Sequence, residues 1–235
     1  MQVRVFDTDK DKIPNVGAAE DEIIPKHPFS VLICASTGRG KTNFFRNLLE
    51  AYRWPSGNEY FQKTIICGPT VGKGGDALWA HLKPSQSKTD PSPEWLREKM
   101  DEQKEAIKKA GSIDLAPRML LAFEDISFQQ DLLNSQEFVE LLLTHRHYSI
   151  SVAIITQCLR GLVPRKLRLQ VHALFFAPGT DSENMIVAQE FGKGRARDFV
   201  DKVIGLVAQD KHAFLGVMRK AKEKYRKGLD NIIEY

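Results

Sequence analysis

Two short segments carry residue types suited to phosphoryl chemistry. The first reads Ala35-Ser36-Thr37-Gly38-Arg39-Gly40-Lys41-Thr42, after the apolar run Val31-Leu32-Ile33-Cys34 and before the helix-like stretch Asn43 to Tyr52. Strand, glycine-rich loop and helix in that order make a phosphate-binding loop. Its successive backbone N–H groups and the positive end of the next helix form a concave anion site. Lys41 would meet the β- and γ-phosphates, and the Thr42 hydroxyl is placed to ligate Mg²⁺. Ala35 through Asn43 are therefore the candidates for holding ATP. Ala35 stands where the pattern usually has its first glycine, so a slightly different turn is expected there, while Gly38 and Gly40 let the backbone approach the ligand.

The second segment is Met119-Leu120-Leu121-Ala122-Phe123-Glu124-Asp125. An apolar strand ending in two acids puts both carboxylates at the carboxyl edge of a sheet, where open α/β folds bind ligands. One acid can hold Mg²⁺ and the other can orient or deprotonate the attacking water. By order Glu124 takes the metal and Asp125 the water, although the two roles can be exchanged. A later strand ends in Thr156-Gln157, which makes Gln157 a candidate sensor of the γ-phosphate. Charge developing on the transferred group also calls for an arginine. Arg39 could act within the subunit, and Arg146, Arg160, Arg165 or Arg168 could reach a neighbour's site.

These groups need a scaffold. Ser30–Cys34 reads as the first core strand. Phe44, Phe45, Leu48, Leu49 and Tyr52 share one face of the following helix. Residues 63–68 form a second strand and 69–92 a long Gly/Pro/Ser/Lys-rich loop. A helix starts at Ser92-Pro93 and stops at Gly111. Strands over 118–123, 150–156, 172–177 and 213–217 alternate with helices from about Asp131 to Thr144 and from Asp181 to Glu190, the latter broken at Gly194. Continuous apolar strands alternating with helices predict an α/β fold whose mostly parallel central sheet carries helices on both faces. The expected organisation is an irregular arm over 1–26, one ATPase domain over 27–218 and a basic tail over 219–235.

The chain has 235 residues, enough for one large α/β domain. Its 42% hydrophobic and 27% charged residues are ordinary for a globular protein. No apolar run is long enough for a membrane span, and the first residues lack the pattern of a secretory signal. Cys34, Cys67 and Cys158 read as small core residues in a reducing compartment, not as a disulfide frame or metal site. The net charge of +4 decides little, but its distribution is uneven. From Leu141 to Thr180 there are Arg146, Arg160, Arg165, Lys166 and Arg168 and no acid. A second cluster contains Arg219, Lys220, Lys222, Lys224, Arg226 and Lys227 around Glu223. Such patches suit a polyanion, and the second also reads as a solvated helix face. From residues and spacing alone, the reading reaches an Mg-dependent NTPase with basic patches.

Several segments resemble one family. His27-Pro28-Phe29-Ser30-Val31-Leu32-Ile33, leading into the loop, looks like the entry of viral genome-packaging ATPases of the FtsK/HerA superfamily, the poxvirus-type enzymes. Ile65-Ile66-Cys67-Gly68-Pro69-Thr70 is similar to their second strand. The most specific match is Thr144-His145-Arg146-His147-Tyr148-Ser149-Ile150-Ser151-Val152 with Ile154-Ile155-Thr156-Gln157. Val163-Pro164-Arg165-Lys166-Leu167-Arg168 resembles the next segment. The resemblance covers about residues 27–180. Glu124-Asp125 departs from the more usual Asp-Asp or Asp-Glu. The resemblance implies a RecA/FtsK-HerA-like P-loop NTPase that hydrolyses ATP with Mg²⁺ and threads double-stranded DNA into a capsid. It further implies a homo-oligomeric ring, hexamer or pentamer, with capsid vertex or portal proteins as partners. The expected location is the host cytoplasm or viral factory, with virion association. Arg165, Lys166 and Arg168 would then line the pore and grip DNA phosphates. The rival readings are a plasmid or cellular FtsK/HerA-like translocase or helicase, a small P-loop kinase, and a nucleotide-gated assembly protein without turnover.

Overall fold

A computed structural model of the chain describes residues 25–50, 52, 60–71, 79, 82–126, 129–219, 224–229 and 231–235. The sequence-based arm over 1–26 therefore lies almost wholly outside the described residues, as do Lys220, Lys222 and Glu223. Nine strands form one sheet: β1 (Ser30–Cys34), β2 (Lys63–Cys67), β3 (Ser87–Lys88), β4 (Met119–Glu124), β5 (Ile150–Thr156), β6 (Ala173–Phe176), β7 (Leu215–Met218), β8 (Tyr225–Lys227) and β9 (Asn231–Ile233). Their spatial order is β3-β2-β4-β5-β1-β6-β7-β8-β9. The six strands from β3 to β6 are mutually parallel, and β7, β8 and β9 continue antiparallel.

Helices cover both faces, as the continuous apolar strands require. On one face lie α2 (Pro93–Ala110), α3 (Gln130–Asn134), α4 (Gln136–Thr144) and α6 (Asp181–Phe191). A helical run follows them there, with α7 (Ala196–Phe199) and α8 (Gly205–Ala208) joined by a π-helical turn over Val200–Ile204. Their side chains pack on Leu32, Leu121, Phe123, Val152, Ile154 and Leu174. The alternate strand positions, including Val31, Ile33, Ala153, Ile155 and Phe175, meet α1 (Lys41–Glu50) on the other face. Phe44 of α1 stacks on Phe214 at 4.3 Å between centroids and tilts against Phe175 at 4.9 Å. Burying one such ring stabilises by roughly 1.5–3 kcal/mol, and it fixes where the helix begins relative to β1.

The helix starts at α2 and α4 follow local chemistry. Ser92 Oγ accepts the Trp95 amide with Pro93 at the first turn, and Gly111 closes α2 at φ 78°. Ser135 Oγ accepts the Phe138 amide, which splits the single helix expected over 131–144 into α3 and α4. Three differences lie at the flanks. The stretch expected as loop over 69–92 contributes β3, which pairs parallel with β2. The helical run 196–208 occupies a stretch to which the sequence reading assigned no element. The expected basic tail is no appendage where it is described: β8 and β9 extend the sheet, with Tyr225 and Arg226 buried.

Candidate active site

β1 sits between β5 and β6, and β5 separates it from β4. All these strands run in the same direction, so the loop after β1, the two acids after β4 and Gln157 after β5 emerge at one carboxyl edge. The loop is sewn to its neighbours. Ala35 donates its amide to Thr156 O at 3.1 Å, and Ala177 donates to Cys34 O at 2.9 Å. Ala35 is buried, and the left-handed glycines of the loop are Gly38 (φ 77°) and Gly40 (φ 83°). The first α-helical bond follows at once, from Phe44 N to Gly40 O at 2.8 Å.

Lys41 opens α1 and is buried to 9% exposure, with Nζ 3.8 Å from Asp125 Oδ1. Thr42 Oγ1 donates to Glu124 Oε1 at 2.5 Å. The other oxygen of Glu124 accepts the indole N–H of Trp79. Glu124 is thus a buried carboxylate with a donor on each oxygen, which compensates its removal from water. Asp125 takes a left-handed backbone, φ 49°, held by its amide bond to Ile155 O at 2.9 Å. That conformation costs a non-glycine residue about 1–3 kcal/mol. It breaks the strand alternation and brings the carboxyl to Lys41. Asp125 Oδ1 is buried without a hydrogen-bond partner, an orphan acceptor at the point where a ligand proton would complete it. Gly68 ends β2 against this corner. A Cβ there would lie 2.4 Å from Glu124 O, so only glycine permits β2 to approach so closely.

Gln157 reaches the loop itself: Thr37 Oγ1 donates to Gln157 Oε1 at 3.1 Å. The chain beyond Gln157 is clasped by Glu183 of α6, whose carboxylate accepts the Leu159 and Arg160 amides at 3.0 Å each. Ser36 and Asn43 are exposed at the loop rim. The hydroxyl of Thr42 and the carboxylate of Glu124 are hard oxygen donors that suit Mg²⁺, an ion commonly held by one or two carboxylates together with substrate phosphates. Among the described residues no cluster of three or more His, Cys, Asp or Glu offers an all-protein metal cage. The cysteines take no part in chemistry here: burial pushes the Cys34 and Cys67 thiols well up, and burial and then Glu183 raise that of Cys158.

The candidate arginines separate. Arg39 is committed in part to Pro178 O at 2.7 Å, with its Nε buried and unpartnered. Arg160 is exposed just beyond Gln157 at the carboxyl edge. Arg146 is exposed before β5 and so lies at the opposite end of the sheet from Lys41 of its own chain. Arg165 and Lys166 are exposed on the short helix α5 (Arg165–Arg168). Arg168 corrects the sequence reading. It is buried, forms two hydrogen bonds with Glu190 at 2.6 and 3.0 Å, and donates to Val163 O at 2.5 Å. It cannot face DNA, because it ties the 159–163 loop to α6. Trp79 is the residue that sequence reasoning missed. Its one signal was a large aromatic inside a stretch otherwise rich in Gly, Lys and Pro.

Solved structures with this architecture carry the same kind of core. The DNA-packaging ATPase B204 from Sulfolobus turreted icosahedral virus is similar over 88% of this chain and 99% of its own, with TM-score 0.55 and 16% identity. The chain has the fold of a P-loop ATPase. The genome-packaging NTPase B204 from Sulfolobus turreted icosahedral virus 2, in complex with sulfate, matches over 90% of this chain and 100% of its own, with TM-score 0.57 and 14% identity. The pCW3 conjugation coupling protein TcpA, in a monomer form with ATPγS, matches over 88% of this chain and 61% of its own, with TM-score 0.57 and 12% identity. No protein-family model and no curated protein sequence matches the chain. No helix among the described residues is long and apolar enough to cross a membrane.

Proposed function

We propose that this P-loop ATPase hydrolyses ATP with Mg²⁺ and uses the reaction to move double-stranded DNA, as the genome-packaging ATPase of a DNA virus. The observation that carries the reading is the convergence, across β5, of Lys41 and Thr42 with Asp125 and Glu124. Backbone amides of residues 36–41 would cradle the phosphates, and Lys41 would neutralise the γ-phosphate. Thr42 and Glu124 would hold Mg²⁺, which when bound offsets charge on the phosphates. Asp125, with an unpartnered oxygen beside Lys41, would align a water for in-line attack and accept its proton. Gln157, already bonded to Thr37, would register whether the γ-phosphate is present.

Support for DNA as the cargo comes from the names of the similar structures: a DNA-packaging ATPase, a genome-packaging NTPase and a conjugation coupling protein. The Arg-His-Tyr-like segment over 145–148 and the Thr156-Gln157 end of β5 favour packaging over conjugation. In this reading ATP lies between subunits of a head-to-tail ring, and an arginine of the neighbour probes it. Arg146, remote from its own Lys41, could act only on a neighbour. Capsid vertex or portal proteins would receive the ring in the host cytoplasm or viral factory.

The test is phosphate release with and without long duplex DNA, at rising protein concentration, for wild type and Lys41→Ala. Release that is stimulated by DNA, rises cooperatively with concentration and is abolished in the variant is expected. No release from wild type under any of these conditions defeats the ATPase reading. Phosphate release indifferent to duplex, with ADP formed in excess of phosphate once a small phosphoryl acceptor is added, makes the chain a kinase.

A further inference from the structure

A band of cations continues from α5 over the end of α6 to the antiparallel flank of the sheet. Arg165 Nε lies 3.5 Å from Glu190 of α6. Lys193 follows that helix, and its Nζ stands 5.6 Å from the centroid of Tyr225. Lys224 approaches the same ring at 5.7 Å. The Arg195 guanidinium lies 5.0 Å from the centroid of Tyr235, whose ring is 5.8 Å from that of Tyr225. Arg219, exposed at the end of β7, donates to Leu169 O, directly after α5. Segments far apart in sequence thus bring three cations onto a floor of two tyrosines, and Arg219 lies near enough to act on Lys224.

Among the described residues none of Lys193, Arg195, Arg219 and Lys224 forms an ion pair with an Asp or Glu side chain. Asp198, which faces Arg195 and Tyr235, is already held by Lys202 at 2.7 Å. Lys193 donates to the main-chain oxygen of Tyr235 at 3.2 Å. The Lys224 ammonium is weakened first by partial burial and then by Lys193 and Arg219, the mark of like charges held together. Each ring contact contributes about 0.5–1 kcal/mol at an exposed site and restrains the long side chains before any ligand arrives. An anion with several phosphates would relieve the repulsion.

We propose that Lys193, Arg195, Arg219 and Lys224 form a docking surface for the phosphate backbone of duplex DNA, extending the footprint begun by Arg165 and Lys166. The inference rests on the DNA-translocation reading and deepens it. Binding through phosphates positions a duplex without reading its bases, as a translocating enzyme requires. Duplex DNA fits better than an anionic membrane, because the one large apolar side chain exposed on these flanking strands among the described residues is Ile232.

Fluorescence anisotropy with a short labelled duplex, over a series of salt concentrations, tests the surface. The triple variant Lys193→Ser, Arg195→Ser, Lys224→Ser is expected to bind at least tenfold more weakly at about 0.1 M salt. The slope of log K against log salt should flatten by about 0.9 for each phosphate that is no longer neutralised, so by up to about 2.7 for three. ATP hydrolysis without DNA should be unchanged, and the pair Lys193→Arg, Lys224→Arg should bind like wild type. Affinity and slope of the triple variant within twofold of wild type, with DNA still stimulating hydrolysis, would overturn the surface and leave the translocase reading intact. Wild type that hydrolyses ATP but fails to bind duplex overturns both. Binding to phosphatidylserine-containing vesicles that the triple substitution abolishes and duplex cannot compete makes the surface a membrane-binding one instead.

Discussion

Trp79→Phe removes the N–H that Glu124 Oε2 accepts. The phenyl ring keeps an aromatic group beside Phe45, 6.2 Å away between centroids, but is smaller than the indole by three heavy atoms. Both residues are 4% exposed, so water does not easily replace the missing donor. A hydrogen bond to a charged group contributes about 1.5–3 kcal/mol, and that is the expected loss of folding stability. In a chain of this size it corresponds to a fall of roughly 3–12 °C in Tm. A second effect bears on function. With Trp79 silent, Glu124 loses the donor on Oε2 that helps to fix its orientation beside Thr42. Ordering such a side chain again costs about 0.5–1.5 kcal/mol. The Mg²⁺ concentration for half-maximal ATP hydrolysis should therefore rise roughly three- to tenfold. Nucleotide binding without Mg²⁺ should stay within about twofold, because neither the loop nor Lys41 has changed. The assays are a thermal melt, an Mg²⁺ titration of phosphate release at fixed ATP, and binding of a fluorescent ATP analogue in chelator. An unaltered Mg²⁺ midpoint together with an unaltered melt refutes the view that Trp79 orients Glu124. Equal weakening of nucleotide binding with and without Mg²⁺ would show instead a general distortion of the loop.

Two further outcomes follow from buried charge. Arg168→Ala leaves Glu190, whose side chain is 6% exposed, with only the exposed Arg165 at 3.5 Å, and should lower the urea-unfolding free energy by about 3–5 kcal/mol; Arg168→Met with Glu190→Leu should restore most of it, whereas a DNA-binding role predicts weaker DNA binding at unchanged stability. His27 sits among Ser149, Ser151, Tyr60 and Phe61, and burial, then Arg118 and His145, lower its pKa to about 3. The folded state thus favours the neutral ring, so this contribution to stability is complete above the unfolded value of 6.5 and is lost as pH falls from there toward 3. Urea melts from about pH 7 to about pH 5 should show a decline of up to about 1.4 kcal/mol per pH unit from this group, and His27→Gln should flatten it; identical slopes in the two proteins would remove His27 as the cause.

What could be read from the chain and what could not divides by the range of the interaction involved. The loop, the acidic pair and Gln157 each sit at the end of a short apolar run, and parallel strands in one sheet can only deliver those ends to the same edge. That makes the juxtaposition of Lys41 and Asp125 legible from residues that lie far apart in sequence. Trp79 has no such guide. Its partner is reached from a segment without periodicity, and no local pattern tells a Trp seeking a buried carboxylate from one covering apolar surface. β3 was hidden for a related reason, since Ser87-Lys88 is too short and too polar to alternate. The helical run over 196–208 is a different case: Phe199, Val203, Ile204 and Val207 keep helical spacing, and the signal was present.

Arg168 shows the cost of reading charge along the sequence alone. The acid-free stretch from Leu141 to Thr180 looked uniformly available to a polyanion, but the acid that balances it is Glu190, one helix further on. Counting carboxylates within the stretch therefore overestimates its free charge, and counting only the C-terminal cluster underestimates the surface that folding assembles. Lys193 and Arg195, which stood in no cluster, join Arg219 and Lys224 once α6 packs beside β8. Free positive charge is thus a property of the packed surface: α5 gives up Arg168 to hold the loop after Gln157 in place, and the flank of the sheet supplies the cations that a long duplex could follow.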